Sequence, residues 1–180
     1  AVGDFDGDGY DDVAVGALYD RGVYIYALGM MGPMNDDIGG SAAKFVRDEF
    51  PQFRPRRILD MGCTVGHSTL PFVDAFPEAE VHAIDVGAPL LRYAHARAES
   101  LGRRVHFSQQ DATRTDFPDG HFDLICSSIL FHETSAKALL ANRLAPVDTA
   151  PPLTIRALAF DDVIEVAGPV LTQSSRLDDD

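Results

Sequence analysis

The chain has 180 residues, 46% of them hydrophobic, which is enough material for one sizeable core. No apolar run reaches the roughly 18 residues needed to cross a bilayer, and the first residues lack the basic stretch and apolar segment of a secretory leader, so a soluble protein of the cytoplasm is expected. The formal charge of −13 is concentrated at the ends, with −7 over residues 1–40 and −5 over residues 161–180, so the middle of the chain carries only −1. With no basic stripe to release counterions, nucleic acid is not an expected partner. The two cysteines, Cys63 and Cys126, lie in apolar surroundings 63 positions apart; they read as buried free thiols, cannot make a structural zinc site alone, and favour a reducing compartment.

Residues 1–28 open with Asp4, Asp6, Asp8, Gly9, Tyr10 and Asp12 in the pattern DxDxDGxxD. Alternate acids on a tightly turned loop converge on one point, the glycine permits the bend, and the following backbone carbonyl adds a neutral oxygen, a set suited to calcium. A helix-loop-helix calcium hand needs a glutamate at the twelfth loop position, where this chain has Val15. The flanks, residues 13–17 and 22–27, read as short strands, which places the loop between strands. At these residues the segment resembles the FG-GAP repeat of integrin-type β-propellers. The resemblance implies calcium bound by Asp4, Asp6, Asp8 and Asp12 with the Tyr10 carbonyl; the alternative is a solvated acidic turn. Propellers need several blades, and no second copy occurs in this chain.

Residues 29–40, GMMGPMNDDIGG, read as a glycine-rich linker. Ser41 can cap a helix over residues 41–50, which Pro51 and Pro55 close. From Arg57 the pattern alternates: strands at 58–61, 80–84, 105–109 and 122–128, with helices at 68–76 and 89–101 between the first three. Such alternation predicts a parallel sheet with right-handed crossovers and a ligand crevice at the strands' C-terminal ends. After a further helix over residues 135–144, residues 145–152 form a proline-containing connector, residues 153–159 and 163–171 read as β-rich, and the end is polar, acidic and expected to be disordered.

Asp60, Asp85 and Asp111 each end or follow an apolar strand, about one βα unit apart. In a parallel sheet this spacing brings three acceptors to one rim, where amino and hydroxyl donors of an adenosine-bearing cofactor can meet them. A glycine turn, Gly62 to Gly66, follows the first acid. A phosphate-cradling loop would require Gly-Lys-Ser/Thr, but His67 and Ser68 follow Gly66; a nicotinamide fingerprint would need a third glycine.

On ILDMGCTVG, HAIDVG, SQQDAT and FPDGHFDLICSSILFHE, the chain resembles the class I S-adenosylmethionine-dependent methyltransferases over residues 41–145. The resemblance implies an α/β, Rossmann-like parallel sheet with helices on both faces, S-adenosylmethionine as cofactor and a small-molecule methyl acceptor as partner. By the same resemblance Asp60, Gly62 and Gly66 hold the methionine part, Asp85 accepts from the ribose hydroxyls, Asp111 and Ala112 meet the adenine, Ser127 lines the crevice, and Cys63, Thr64 and Val86 complete the cofactor-binding set. Thr64 stands where the family has a glycine, and a β-branched residue restricts the backbone there. His132 and Glu133, after the fourth strand, are candidates for a general base or acceptor-binding pair, or shape the wall of a helix start. The family's glycine-rich turn and fifth strand do not follow residue 144, so the C-terminal half is truncated or altered.

The expected organisation is therefore a calcium-binding β element at 1–28, a linker at 29–40, a cofactor-binding domain at 41–145 and a β-rich tail at 146–180. Three functions are compatible with it: a methyltransferase, a calcium-dependent adhesion fragment, or a mosaic that binds ligand without turnover.

Overall fold

A computed structural model describes residues 12–130, 140–141, 143–148, 150, 152–161 and 164–177. The chain divides into two compact units, Ala1–Ser128 and Ile129–Asp180. No helix among the described residues is long and apolar enough to cross a membrane.

In the first unit the order is α1 (Asp12–Tyr26), α2 (Asp37–Glu49), β1 (Arg57–Met61), α3 (Thr69–Ala75), β2 (Glu80–Asp85), α4 (Ala88–Ser100), β3 (His106–Gln109) and β4 (Leu124–Ser127). The four strands form one parallel sheet in the order β3-β2-β1-β4. β1 is central, and its Ile58, Leu59 and Asp60 are all buried, the continuous pattern of a strand covered on both faces. Ile58, Val81 and Ala83 share one face by register and alternation. Phe72 of α3, Phe76 at its C-terminal cap and Leu91 of α4 cover that face, with α2 packed on α3 and α1 on α4.

The expected strands at 13–17 and 22–27 are overturned, because residues 13–17 and 22–26 lie inside α1 and Ala27 begins the turn after it. Val13, Gly16, Ala17, Asp20 and Val23 fall at three- and four-residue spacings and are the less exposed positions of α1, so helical period outweighs the β-propensity of the valines and tyrosines. Gly16 sets the approach to α4, since a Cβ there would lie 2.1 Å from Tyr93 Cβ. The acids Asp4, Asp6 and Asp8 and Tyr10 lie outside the described residues; Asp12 is the first residue of α1, not part of a strand-flanked loop.

The linker also ends sooner than expected. Turns occupy residues 27–35, and α2 begins at Asp37, four residues before Ser41, with that acid in its first turn where the helix dipole favours negative charge. Gly39 lies against the turn before α3: a Cβ there would sit 2.6 Å from the Ser68 backbone.

In the second unit, α5 (Pro152–Ala159) and α6 (Ile164–Gln173) replace the β-rich tail, followed by a 3-10 turn at Ser175–Leu177 in the end expected to be disordered. The reason is again periodicity. Ile155 and Leu158 of α5, and Val166 and Val170 of α6, recur at helical spacing and close a buried cluster with Ala141, Ala145 and Ala150.

Candidate functional site: the C-terminal rim of the sheet

At the end of β1 the chain turns through Gly62 (φ +74°), Thr64 (φ +47°) and Gly66 (φ +83°). The backbone N–H groups of Gly62 and Cys63 donate to the Ile84 carbonyl at 2.8 and 3.1 Å, so the turn is tied to β2. Glycine takes these left-handed conformations without strain; a β-branched threonine does not. What holds Thr64 there is Asp85, whose Oδ2 accepts from the Thr64 N–H at 3.0 Å, while its Oδ1 accepts from the Gly87 N–H at 2.8 Å. Each carboxylate oxygen still has a second lone pair to offer. Asp85 therefore both props the turn and presents acceptors at its edge.

Asp60 is 1% exposed. Its Oδ2 accepts from the Thr69 hydroxyl at 2.6 Å, and its Oδ1 has no partner among the described residues. Burial pushes its carboxyl up to about 6, against the Thr69 and Cys126 hydrogen bonds, with the Asp85 charge adding to the rise. Ser127, in register with Met61, likewise has a buried hydroxyl with no partner among the described residues. Two buried polar atoms without partners beside a glycine turn are what a ligand with donors would satisfy.

Cys63 and Cys126 are both free thiols, the first buried and the second half-buried, and burial raises both thiols. They act as small apolar groups, and Cys126 points its Sγ to the Leu59 carbonyl at 3.4 Å. Val86 is 65% exposed at the end of β2, an apolar surface beside Asp85 and suited to a flat ligand. Asp111 lies two residues beyond β3, in a short turn bridged to Arg114. Its Oδ1 accepts from both the N–H and the hydroxyl of Thr113 at 2.8 Å, and these hydrogen bonds hold its carboxyl below the usual range. Ala112 lies half-buried in that turn. The structure thus joins Asp60, the glycine turn and Asp85 into one constellation, sets Ser127 on the strand beside it, and leaves Asp111 facing its own turn. His132 and Glu133 lie outside the described residues.

Sequence reasoning missed Thr69, whose hydroxyl donates to Asp60, and it missed the support behind the turn. His67 Nε2 contacts Asp20 Oδ1 of α1 at 2.6 Å, and the Tyr93 hydroxyl donates to Asp20 Oδ2 at 2.8 Å. The amide of the buried Asn35 donates to the Asp20 carbonyl at 2.9 Å. Burial raises Asp20, but the hydrogen bonds from His67 and Tyr93 and the nearby Arg97 charge outweigh it, so its carboxyl lies low; burial lowers His67 against the pull of Asp20. Asp20 recurs with Gly16 and Val23 on one face of a helical pattern, the signal that could have exposed it.

A glycine turn after a central parallel strand, with acids ending the first two strands, is the arrangement of a known group. Residues 58–145 match the model of the methyltransferase domain family. By this match the segment is similar to the class I S-adenosylmethionine-dependent methyltransferases. The methyltransferase domain is similar to the demethylmenaquinone methyltransferase of Thermus thermophilus, 39% identical over 71 residues that cover 39% of this chain and 32% of that protein. It is also 35% identical, over 75 residues, to a malonyl-[acyl-carrier protein] O-methyltransferase of Halorhodospira halophila, covering 42% of this chain and 25% of the relative. Among solved structures, an S-adenosylmethionine-dependent methyltransferase from Clostridium acetobutylicum superposes with a TM-score of 0.52 at 18% identity, over 69% of this chain and 48% of that one, a likeness of fold. The chain spans about a quarter to a third of the length of these two curated relatives. Residues 1–26 match the FG-GAP repeat model, although residues 12–26 are helical here.

Proposed function

We infer that the methyltransferase domain binds S-adenosylmethionine at the rim between the glycine turn and Asp85 and directs its methyl group to a small-molecule acceptor. One observation carries the reading: Asp60, buried at the end of the central strand, has a carboxylate oxygen without a partner among the described residues. A buried acceptor is retained at a cost in stability, and a cationic ligand with N–H donors offsets that cost. When bound, the cofactor supplies a methyl group already activated by its sulfonium. The chain's task is then to bind, orient and exclude water. Asp60 with Gly62, Cys63, Thr64 and Gly66 would hold the methionine portion, Asp85 and Val86 the ribose side, Asp111 and Ala112 the adenine, and Ser127 would line the crevice. Nothing in this set needs to move a proton. The cytoplasm, a compartment that holds the cofactor, goes with this reading.

Titration calorimetry with S-adenosylmethionine and with its demethylated product tests it, and the expected result is saturable heat. Because the ligand favours ionised Asp60, whose carboxyl is raised to about 6, binding near pH 6 should release protons, seen as heat that depends on the buffer's ionisation enthalpy. Affinity should weaken as the pH falls below that value. Absence of heat at millimolar ligand sinks the proposal. Binding without methyl release across a panel of small nucleophiles would favour the mosaic reading instead.

A second reading, calcium binding by Asp4, Asp6, Asp8 and Asp12 with the Tyr10 carbonyl, rests on the FG-GAP match over residues 1–26. Its test is the thermal midpoint with calcium against chelator, since an ion that binds only the folded chain must raise it.

A further inference from the structure

The opposite end of the same sheet carries a second set of ligand-type side chains. Glu80 and His82 lie two apart on β2 and therefore share a face, and His106, the first residue of β3, is in register with His82. Glu80 Oε1 lies 3.3 Å from His82 Nε2 and 3.3 Å from His106 Nε2. The three donor atoms are all within 4.8 Å of one another. A tetrahedral ion with bonds of about 2.0–2.1 Å sets neighbouring donors about 3.3–3.4 Å apart, so the carboxylate oxygen already stands at ligand spacing from each imidazole.

Two further observations point to an ion. His82 Nε2 is buried and makes no hydrogen bond among the described residues, so the nearby Glu80 carboxylate is close enough for attraction but not aligned to accept from it. The ring itself is held edge-on by Phe117, His121 and Phe122, with centroids 5.8, 6.0 and 5.3 Å away. The His82 and His106 rings stack at 4.8 Å, an arrangement that sets two Nε2 atoms side by side. Burial, the neighbouring His106 and the more distant His121 all push His82 toward its neutral form, against Glu80; the neutral imidazole is the one that ligates.

We propose that Glu80, His82 and His106 form a binding site for a late first-row divalent ion such as Zn2+, which ties the start of β3 to the start of β2. Two imidazoles and one carboxylate suit this class of ion rather than calcium or magnesium, which take oxygen ligands. His106 and Glu80 have side chains 62% and 50% exposed, against 16% for His82, so the inner imidazole is preorganised and the outer side is open to water as a fourth ligand. The site is independent of the cofactor proposal, because it occupies the opposite ends of the strands. β2 separates Glu80 from Asp85 by five residue steps, roughly 16 Å at strand rise.

The test is Zn2+ titration of the chelator-stripped full chain by calorimetry, in excess Ca2+ so that oxygen-only sites are filled. A parallel Co2+ titration reads the visible absorption of a four-coordinate site. One equivalent is expected, with a raised thermal midpoint. His106→Ala removes an exposed ligand without opening a core, and should weaken Zn2+ by at least about tenfold; Glu80→Gln should weaken it as well. His95→Ala, which disrupts the exposed His95–Glu99 pair on α4, should leave affinity unchanged. Absence of Zn2+ binding, or equal affinity in the wild type and His106→Ala, overturns the proposal.

Discussion

The two ends of the parallel sheet handle polar groups in opposite ways. At the C-terminal rim the decisive acid, Asp60, is buried and short of partners, and the backbone around it is forced through left-handed conformations. At the N-terminal rim, Glu80 and His106 are open to solvent and the backbone is ordinary strand. The difference follows from βα connectivity: the tight turns into α3 and α4 come after the strands' C-terminal ends, so backbone N–H groups, glycines and helix starts gather there. The other rim receives chain returning from helices and is free to carry exposed side chains. Asp60 at the first rim therefore costs stability, whereas the exposed Glu80 and His106 at the second cost almost none.

The largest expected effect comes from removing that cost. Asp60 rises from 3.8 to about 6 in the fold. For an acid raised in the folded state, stability is full below about pH 4, falls as the pH rises toward 6, and is flat above. The shift corresponds to about 3 kcal/mol. Asp60→Asn should flatten that stretch of the pH profile and gain a stabilisation approaching this size at pH 8, measured by urea unfolding, while cofactor affinity falls. An unchanged profile would mean that the buried acid is not the source of the rim's cost.

Next is the wall behind the turn. Gly39→Ala puts a Cβ against the Ser68 backbone, and should destabilise by about 2 kcal/mol through overpacking, read from the denaturation midpoint. Smaller still, Thr64→Gly should stabilise by about 1 kcal/mol by relieving the strained φ of a β-branched residue, offset by glycine's greater freedom when unfolded. Tighter binding of the demethylated cofactor in the same variant would show that the strain sits in the ligand site. At the other rim, His106→Ala without metal should change stability by no more than about 0.5 kcal/mol. A large loss there would abolish the contrast between the two ends.

Much of the domain was legible from residues alone. Short apolar strands bounded by glycine, proline and aspartate announced β1 to β4, and the one-unit spacing of Asp60, Asp85 and Asp111 placed them at one rim, because a parallel βα repeat leaves strand ends nowhere else to go. Where elements lacked that punctuation, local β-propensity misled. Residues 13–26, 153–159 and 164–171 carry valine, isoleucine, tyrosine or leucine in β-like runs, yet they fold as helices because Gly16, Asp20, Ile155, Leu158, Val166 and Val170 meet partners on a single helical face. Propensity belongs to each residue, but burial belongs to the face.

What the sequence by itself determined was the order of strands and turns and the acids that close them, since these depend on backbone sterics and short-range periodicity. Only tertiary structure decided which acid is buried and strained for a partner, that Asp85 props Thr64, that Asp20 of α1 braces His67, and that Glu80, His82 and His106 converge. Each of these depends on distances between residues far apart in the chain, or on the side of a sheet they share, and those are set by packing and register.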